Sequence, residues 1–194
     1  MYPSKQIIVV YPDDYENLAL AMQHEISKVD GFDSSAWSIE HYKQNAPTLS
    51  GRSYVIFLGT AEENKFTKTY QPQISRIVNI NGACLGWDGS KAVIFGEGNL
   101  EKKSAFEAFK SKLGYGSAAA GVATSAGSVG AAMSAGFLVA VPVVQAAVIG
   151  GGIYSVAKFF IDKKARRELR YEQTKMAIYN FLLTELEAWT KGRE

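Results

Sequence analysis

Ile7-Ile8-Val9-Val10-Tyr11-Pro12-Asp13-Asp14-Tyr15-Glu16 decides how the first half of the chain is read. Residues 7–11 are a continuous apolar, β-branched run, the pattern of a strand buried on both faces of a parallel sheet. Pro12 breaks the run. Asp13 can cap a helix, and Glu16 three residues on completes a capping-box pattern. Leu18, Met22, Ile26 and Val29 then recur at helical spacing, and Gly31 closes the segment. Strand, tight turn and amphipathic helix are the opening of an α/β unit.

Ala36-Trp37-Ser38-Ile39-Glu40-His41-Tyr42 alternates and reads as a more exposed strand over 36–42. Tyr54-Val55-Ile56-Phe57-Leu58 is a second wholly apolar run, ended by Gly59-Thr60, and belongs beside the first at the sheet centre. Residues 61–81 are polar and contain Pro72, with one short helix expected around 74–78. Ala83–Trp87 and Lys91–Phe95 flank Asp88-Gly89, a pair suited to a type I′ hairpin turn. Phe106, Phe109 and Leu113 mark a helix over 100–113. The expectation for 1–113 is an α+β or α/β unit, a small Rossmann-like domain of about five strands.

The chain then changes character. Between Lys112 and Lys158 lie 45 residues without Asp, Glu, Lys, Arg or His, with glycine at 114, 116, 121, 127, 130, 136, 150, 151 and 152. Two bilayer-length helices fit into that span, with Gly136 or Pro142 at the reversal. The limb 137–161 is rich in Val, Ile, Leu and Phe, whereas 116–135 is mainly Ala, Gly and Ser. Small residues gain little from lipid, because transfer scales with apolar area, but they let helices approach closely. Ala119, Ala123, Gly127 and Ala131 fall at i, i+4 spacing, as do Ala132 and Gly136. With Gly150, Gly151 and Gly152 they form the expected seam of a Gly/Ala-rich hairpin over 114–161. In general character this segment resembles the hydrophobic hairpins of pore-forming colicins.

Charge returns in Lys163, Lys164, Arg166, Arg167 and Arg170, a cluster suited to anionic lipid headgroups after an apolar span. Basic residues on both flanks keep both ends on the cytoplasmic side. Residues 162–194 are expected as a basic, then amphipathic C-terminal helix carrying Met176, Tyr179, Leu182, Leu183 and Leu186.

In an open α/β sheet, ligands sit beyond the carboxyl ends of the strands. That position gathers Tyr11, Asp13 and Asp14 after the first strand and Gly59, Thr60 and Glu62 after the central one, as a small-molecule site. No GxGxxG follows the first strand, GxxxxGK[ST] is absent, and Gly96-Glu97-Gly98 leads to no third glycine in register. His24 and His41 have no CxxC or HExxH context, so no metal and no cofactor are expected. The one cysteine, Cys84, has no paired histidine nearby and reads as a core residue of a protein in a reducing compartment. No signal-peptide pattern is read at the N-terminus. Net charge is +2 and mean hydropathy −0.06, which offers nothing toward nucleic-acid binding.

The reading is a membrane-inserting, oligomeric, pore-forming or membrane-disrupting effector without a catalytic constellation. Its partners are membrane lipid, copies of itself and a small-molecule or protein trigger. Its rivals are a soluble self-assembling protein whose hairpin packs in a filament or bundle core, and a membrane-anchored enzyme or small-ligand binder.

Overall fold

The computed structural model describes residues 5–49, 53–112 and 151–191, with the helical backbone alone for 111–112 and 151–161. Among the described residues six strands form one mixed sheet: β1 (Lys5–Tyr11), β2 (Phe32–Ser38), β3 (Tyr54–Leu58), β4 (Ile77–Ile80), β5 (Ala83–Asp88) and β6 (Lys91–Gly96). Their order is β2-β1-β3-β6-β5-β4. Strands β2, β1, β3 and β6 run parallel; β5 pairs antiparallel with β6, and β4 antiparallel with β5, at one edge.

Both apolar runs of the sequence are the central strands, as their composition requires. Ile7 and Val9 of β1, with Ile56 and Leu58 of β3, face one buried cluster, while Ile8, Val10, Val55 and Phe57 face another. The period of two along each strand splits the core between the two faces of the sheet. Helix α1 (Glu16–Ser27) covers the first face through Leu18, Met22 and Ile26. Helices α2 (Ile39–Asn45) and α3 (Lys65–Tyr70) cover the second, where Tyr42, Phe66 and Tyr70 pack around Phe57. The path from β1 to β2 leads to one side and the path from β2 to β3 returns to the other. The strand order therefore reverses between β1 and β3.

Several local expectations give way to tertiary chemistry. The second strand lies at 32–38, not 36–42. Ser38 ends it and caps α2 by accepting the His41 amide at 3.2 Å, which puts His41 on a helix. Asp13 makes no side-chain cap: residues 13–15 form a 3-10 turn closed by the Tyr15 amide on the Pro12 carbonyl. Within 61–81 the helix is α3, capped by Asn64, and 77–80 is the extra strand β4. The strand arises because Asn81 (φ 52°) and Gly82 (φ 89°) make the two-residue, positive-φ turn of a hairpin to β5. At the next hairpin Asp88 stays paired with Lys91, and the loop is Gly89-Ser90 with positive φ only at glycine. Type I′ needs both central residues at positive φ, so the turn at 88–89 is not the one expected.

Helix α4 (Lys103–Lys112) follows, with Phe106 buried. Helix α5 (Gly151–Asn180), one turn of π-helix (Phe181–Glu185) and α6 (Leu186–Lys191) then cross the face that α1 also covers. The stretch expected as a separate C-terminal helix supplies Leu169, Met176, Ala177, Ile178, Phe181, Leu186 and Trp189 to the main core. The π turn adds one residue to the helical phase. Leu186 and Trp189 consequently follow Phe181 into the core, and Leu183 is left 52% exposed.

Close approach of α5 is made possible by glycine. A Cβ on Gly96 would lie 2.2 Å from the Arg170 carbonyl oxygen, and one on Gly98 2.4 Å from Arg170 Cγ. Gly96 and Gly98 thus make room for a helix rather than cradle a phosphate. Buried Gln173 locks the seam: its Oε1 accepts the Gly98 amide at 2.8 Å, and its Nε2 donates to the Asn81 carbonyl at 2.9 Å.

Candidate functional site

At the point where the strand order reverses, two loops leave the carboxyl ends of β1 and β3 and meet. Gly59 adopts φ +90°, and its Cβ position is 3.2 Å from Pro12 Cγ, so a side chain there would be strained and would press on the first loop. Asn64, fully buried, ties the second loop down by donating to the Leu58 carbonyl at 2.9 Å while accepting the Phe66 amide at 3.0 Å.

Glu63 organises the place where they meet. Its Oε2 accepts the Thr60 amide and the Thr60 hydroxyl, each at 2.9 Å, and the Tyr15 hydroxyl at 3.2 Å. Burial, then the Glu63 carboxylate, pushes the Tyr15 phenol well above its ordinary range, so Tyr15 keeps its proton and donates it in the hydrogen bond to Glu63. Glu63 Oε1 lies 3.5 Å from Arg170 Nη1, and Arg170 Nη2 lies 3.2 Å from Glu62 Oε2. One turn earlier on α5, Arg167 pairs with Asp14.

The ends of β1 and β3 and the start of the charged part of α5 thus border one open cavity of about 780 Å³. Asp14, Glu62 and Glu63 line its sheet side. Lys163, Arg166, Arg167 and Arg170 line the other, at i, i+3, i+4 and i+7 on a single helix face, with Asp162 beside them. Its volume lies within the usual range of small-molecule sites.

The structure brings two separately read groups of residues together. Of the loop residues, Asp14 and Glu62 line the cavity, while Gly59 and Thr60 shape the loop beneath it. Tyr11 ends β1 half-buried, its phenol raised by burial and by Glu16, and exposed Asp13 takes part in the 3-10 turn. Of the basic cluster, four members face the cavity; Lys164 lies off that face, 3.9 Å from Glu168. Ala119, Ala123, Gly127, Ala131, Ala132, Gly136 and Gly150 lie outside the described residues. Gly151 and Gly152 form the first described residues of α5. Among the described residues no helix is long and apolar enough to cross a membrane, and no cluster of metal-ligating side chains occurs.

Sequence reasoning missed Tyr15, Glu63 and Gln173. Thr60-x-x-Glu63 is itself a capping-box spacing, so Glu63 was open to discovery. Nothing local marks Gln173, whose partners lie 75 and 92 residues away. A second concavity, of about 590 Å³, lies at the opposite end of the sheet between Lys5, Phe32, Leu182 and Leu186. Cys84 is buried in the core, and burial, then the Glu97 carboxylate, pushes its thiol up to about 12. Comparison with protein-family models, with curated proteins and with solved structures gives no match for this chain.

Proposed function

We propose that the protein is a membrane-directed, self-associating effector whose α/β domain governs the behaviour of the uncharged segment 113–157 through a ligand at the strand-reversal cavity. The observation that carries this reading is the continuity of α5. The helix begins at Gly151, inside the uncharged stretch, passes the cavity at residues 163–170 and ends in the core. A helix rises 1.5 Å per residue, so 151–162 extends roughly 16 Å beyond the cavity. A change at the Asp14 or Glu62 loop therefore reaches the segment through one continuous helix.

The two halves of that helix are held unequally. Exposed ion pairs such as Arg167–Asp14 contribute only about 0.2–1 kcal/mol each. Fully burying a single large apolar side chain contributes about 1.5–3 kcal/mol, and the core half buries several. Releasing the Asp14 and Glu62 pairs costs little and leaves the part of the helix from Leu169 onward docked. The active form acts at the cytoplasmic side of a membrane, with the seam residues of 116–136 bringing copies together.

The test is dye release and flotation with liposomes, using the full chain. The control replaces 114–150 by a hydrophilic linker of equal length. Ending the chain at Leu113 is unsuitable, because it removes Leu169, Phe181 and Trp189 from the core. Flotation and release by the intact chain alone support the reading, and Gly127→Leu with Ala131→Leu should then block oligomerisation. If the intact chain stays aqueous as large particles without detergent, the membrane reading fails and a soluble assembly takes its place.

A further inference from the structure

We infer that the strand-reversal cavity binds a soluble compound carrying phosphate and hydroxyl groups, of the nucleotide class, with Lys163 and Arg166 as its primary phosphate contacts. The inference names the ligand of the site used above and rests on that site, but its binding readout is independent of any membrane activity.

Three observations carry it. First, the cavity has the size of a small-molecule site and sits where open α/β sheets bind ligands, outside the carboxyl ends of strands at the reversal of strand order. Second, its basic wall is only partly neutralised. Arg167 and Arg170 have carboxylate partners, whereas among the described residues Lys163 and Arg166 form no ion pair. Two cations one helical turn apart, facing a cavity and without an ion pair among the described residues, are suited to a phosphate. Third, the opposite wall is acidic, and its members differ in how they are held. Glu63 is fixed by Thr60 and Tyr15. Asp14 and Glu62 have side chains 52% and 78% exposed and are held by an arginine each.

Those exposures define the exchange. With one phosphate on Lys163 and Arg166, a second takes bonds from Arg167 and Arg170, and the Asp14 and Glu62 carboxylates are released toward the ligand's hydroxyls, as acidic side chains at such sites bind ribose. The same acidic wall argues against a bilayer as the source of the phosphate. The cationic stripe faces the Asp14 and Glu62 loops, and those carboxylates would repel an anionic membrane surface at close range.

Thermal-shift and calorimetric titrations of the full chain at fixed ionic strength decide the matter, with ATP and inorganic pyrophosphate as soluble probes. Phosphatidylserine and phosphatidylcholine vesicles form the lipid arm. ATP and pyrophosphate should each raise the unfolding temperature, ATP more strongly. Lys163→Glu and Arg166→Glu should each weaken binding by about tenfold or more, while Lys164→Glu, off the cavity face, retains it. Neither variant breaks an ion pair, and an unfolding temperature like that of the parent without ligand verifies that they fold. Absence of a shift with both probes at millimolar concentration overturns the inference. So does an equal loss in Lys164→Glu, which would mean general charge attraction, or binding to phosphatidylserine vesicles alone, which would mean a lipid headgroup. Probe binding without dye release sustains the inference and removes the membrane reading. Dye release in the absence of any probe binding does the reverse.

Discussion

Gln173 receives the Gly98 backbone amide at 2.8 Å although 75 residues separate the two, and its side-chain nitrogen also serves the Asn81 carbonyl. One fully buried side chain thereby joins helix α5 to the loop after β6 and to the turn before β5. Gln173→Leu keeps much of the volume and removes both bonds. Each buried group left unsatisfied costs about 1–3 kcal/mol, so the denaturation midpoint should fall by an amount corresponding to at least one such loss. An unchanged midpoint would mean that water replaces Gln173 there.

Gly96→Ala tests how closely the helix must approach. The new methyl group would lie 2.2 Å from the Arg170 carbonyl oxygen and 2.7 Å from Gln173 Cβ. Neither is the free end of a flexible side chain, so the helix itself must retreat. Overpacking of this kind costs about 1–3 kcal/mol. Gly89→Ala, where nothing lies within 4 Å but φ is positive, should cost less. Urea denaturation of the two variants checks the ranking.

Trp189 closes the core from the last helix. It is fully buried, meets Tyr54 and Phe181 edge-on with ring centroids 4.9 and 5.5 Å away, and donates its indole N–H to the Gly89 carbonyl at 3.0 Å. Trp189→Ala should destabilise the fold by about 3–5 kcal/mol. Trp189→Phe should recover part of that loss, since it keeps ring packing but leaves the Gly89 carbonyl without its donor. A small effect of the alanine change on the denaturation midpoint would show that α6 is not needed to hold the sheet.

Stability should fall in alkali. Burial pushes the Tyr42 and Tyr171 phenols up to about 12, and Tyr15 is raised as well. Below pH 10 these groups are protonated both folded and unfolded, and their contribution is fully present. As pH rises through 10 the unfolded chain releases the protons while the folded chain holds them, so stability is lost progressively toward about 12. Unfolding temperatures measured from pH 7 to 11 should be level at first and then decline. A Tyr42→Phe, Tyr171→Phe double variant should decline less steeply.

The Cys84 thiol should be inert in the folded protein. It is 2% exposed, and its acidity is suppressed by burial and by Glu97. At pH 8 a disulfide reagent should find no reactive thiol in the native chain and one equivalent in denaturant. Rapid labelling of the native protein would contradict the placement of β5.

The central strands, the first helix, the β5–β6 pairing and the abrupt loss of charge after Lys112 are all legible in the sequence. These are local signals: runs of β-branched residues, a 3.6-residue apolar period, and a composition that shifts within a few positions. It also indicated both loops at the strand reversal, because a ligand position follows from strand topology. The sixth strand was legible in Asn81-Gly82, a stronger hairpin signal than Asp88-Gly89. Long-range packing alone makes residues 162–191 complete the core, sets Gly96 and Gly98 against a helix, and turns the basic stripe toward an acidic wall. Those relationships join residues more than 70 positions apart. A helix that is amphipathic and basic carries no local mark of whether a sheet or a bilayer receives it. What receives it is settled by the shape of the surface already folded: here a glycine-lined groove beside β6, with carboxylates waiting at its end.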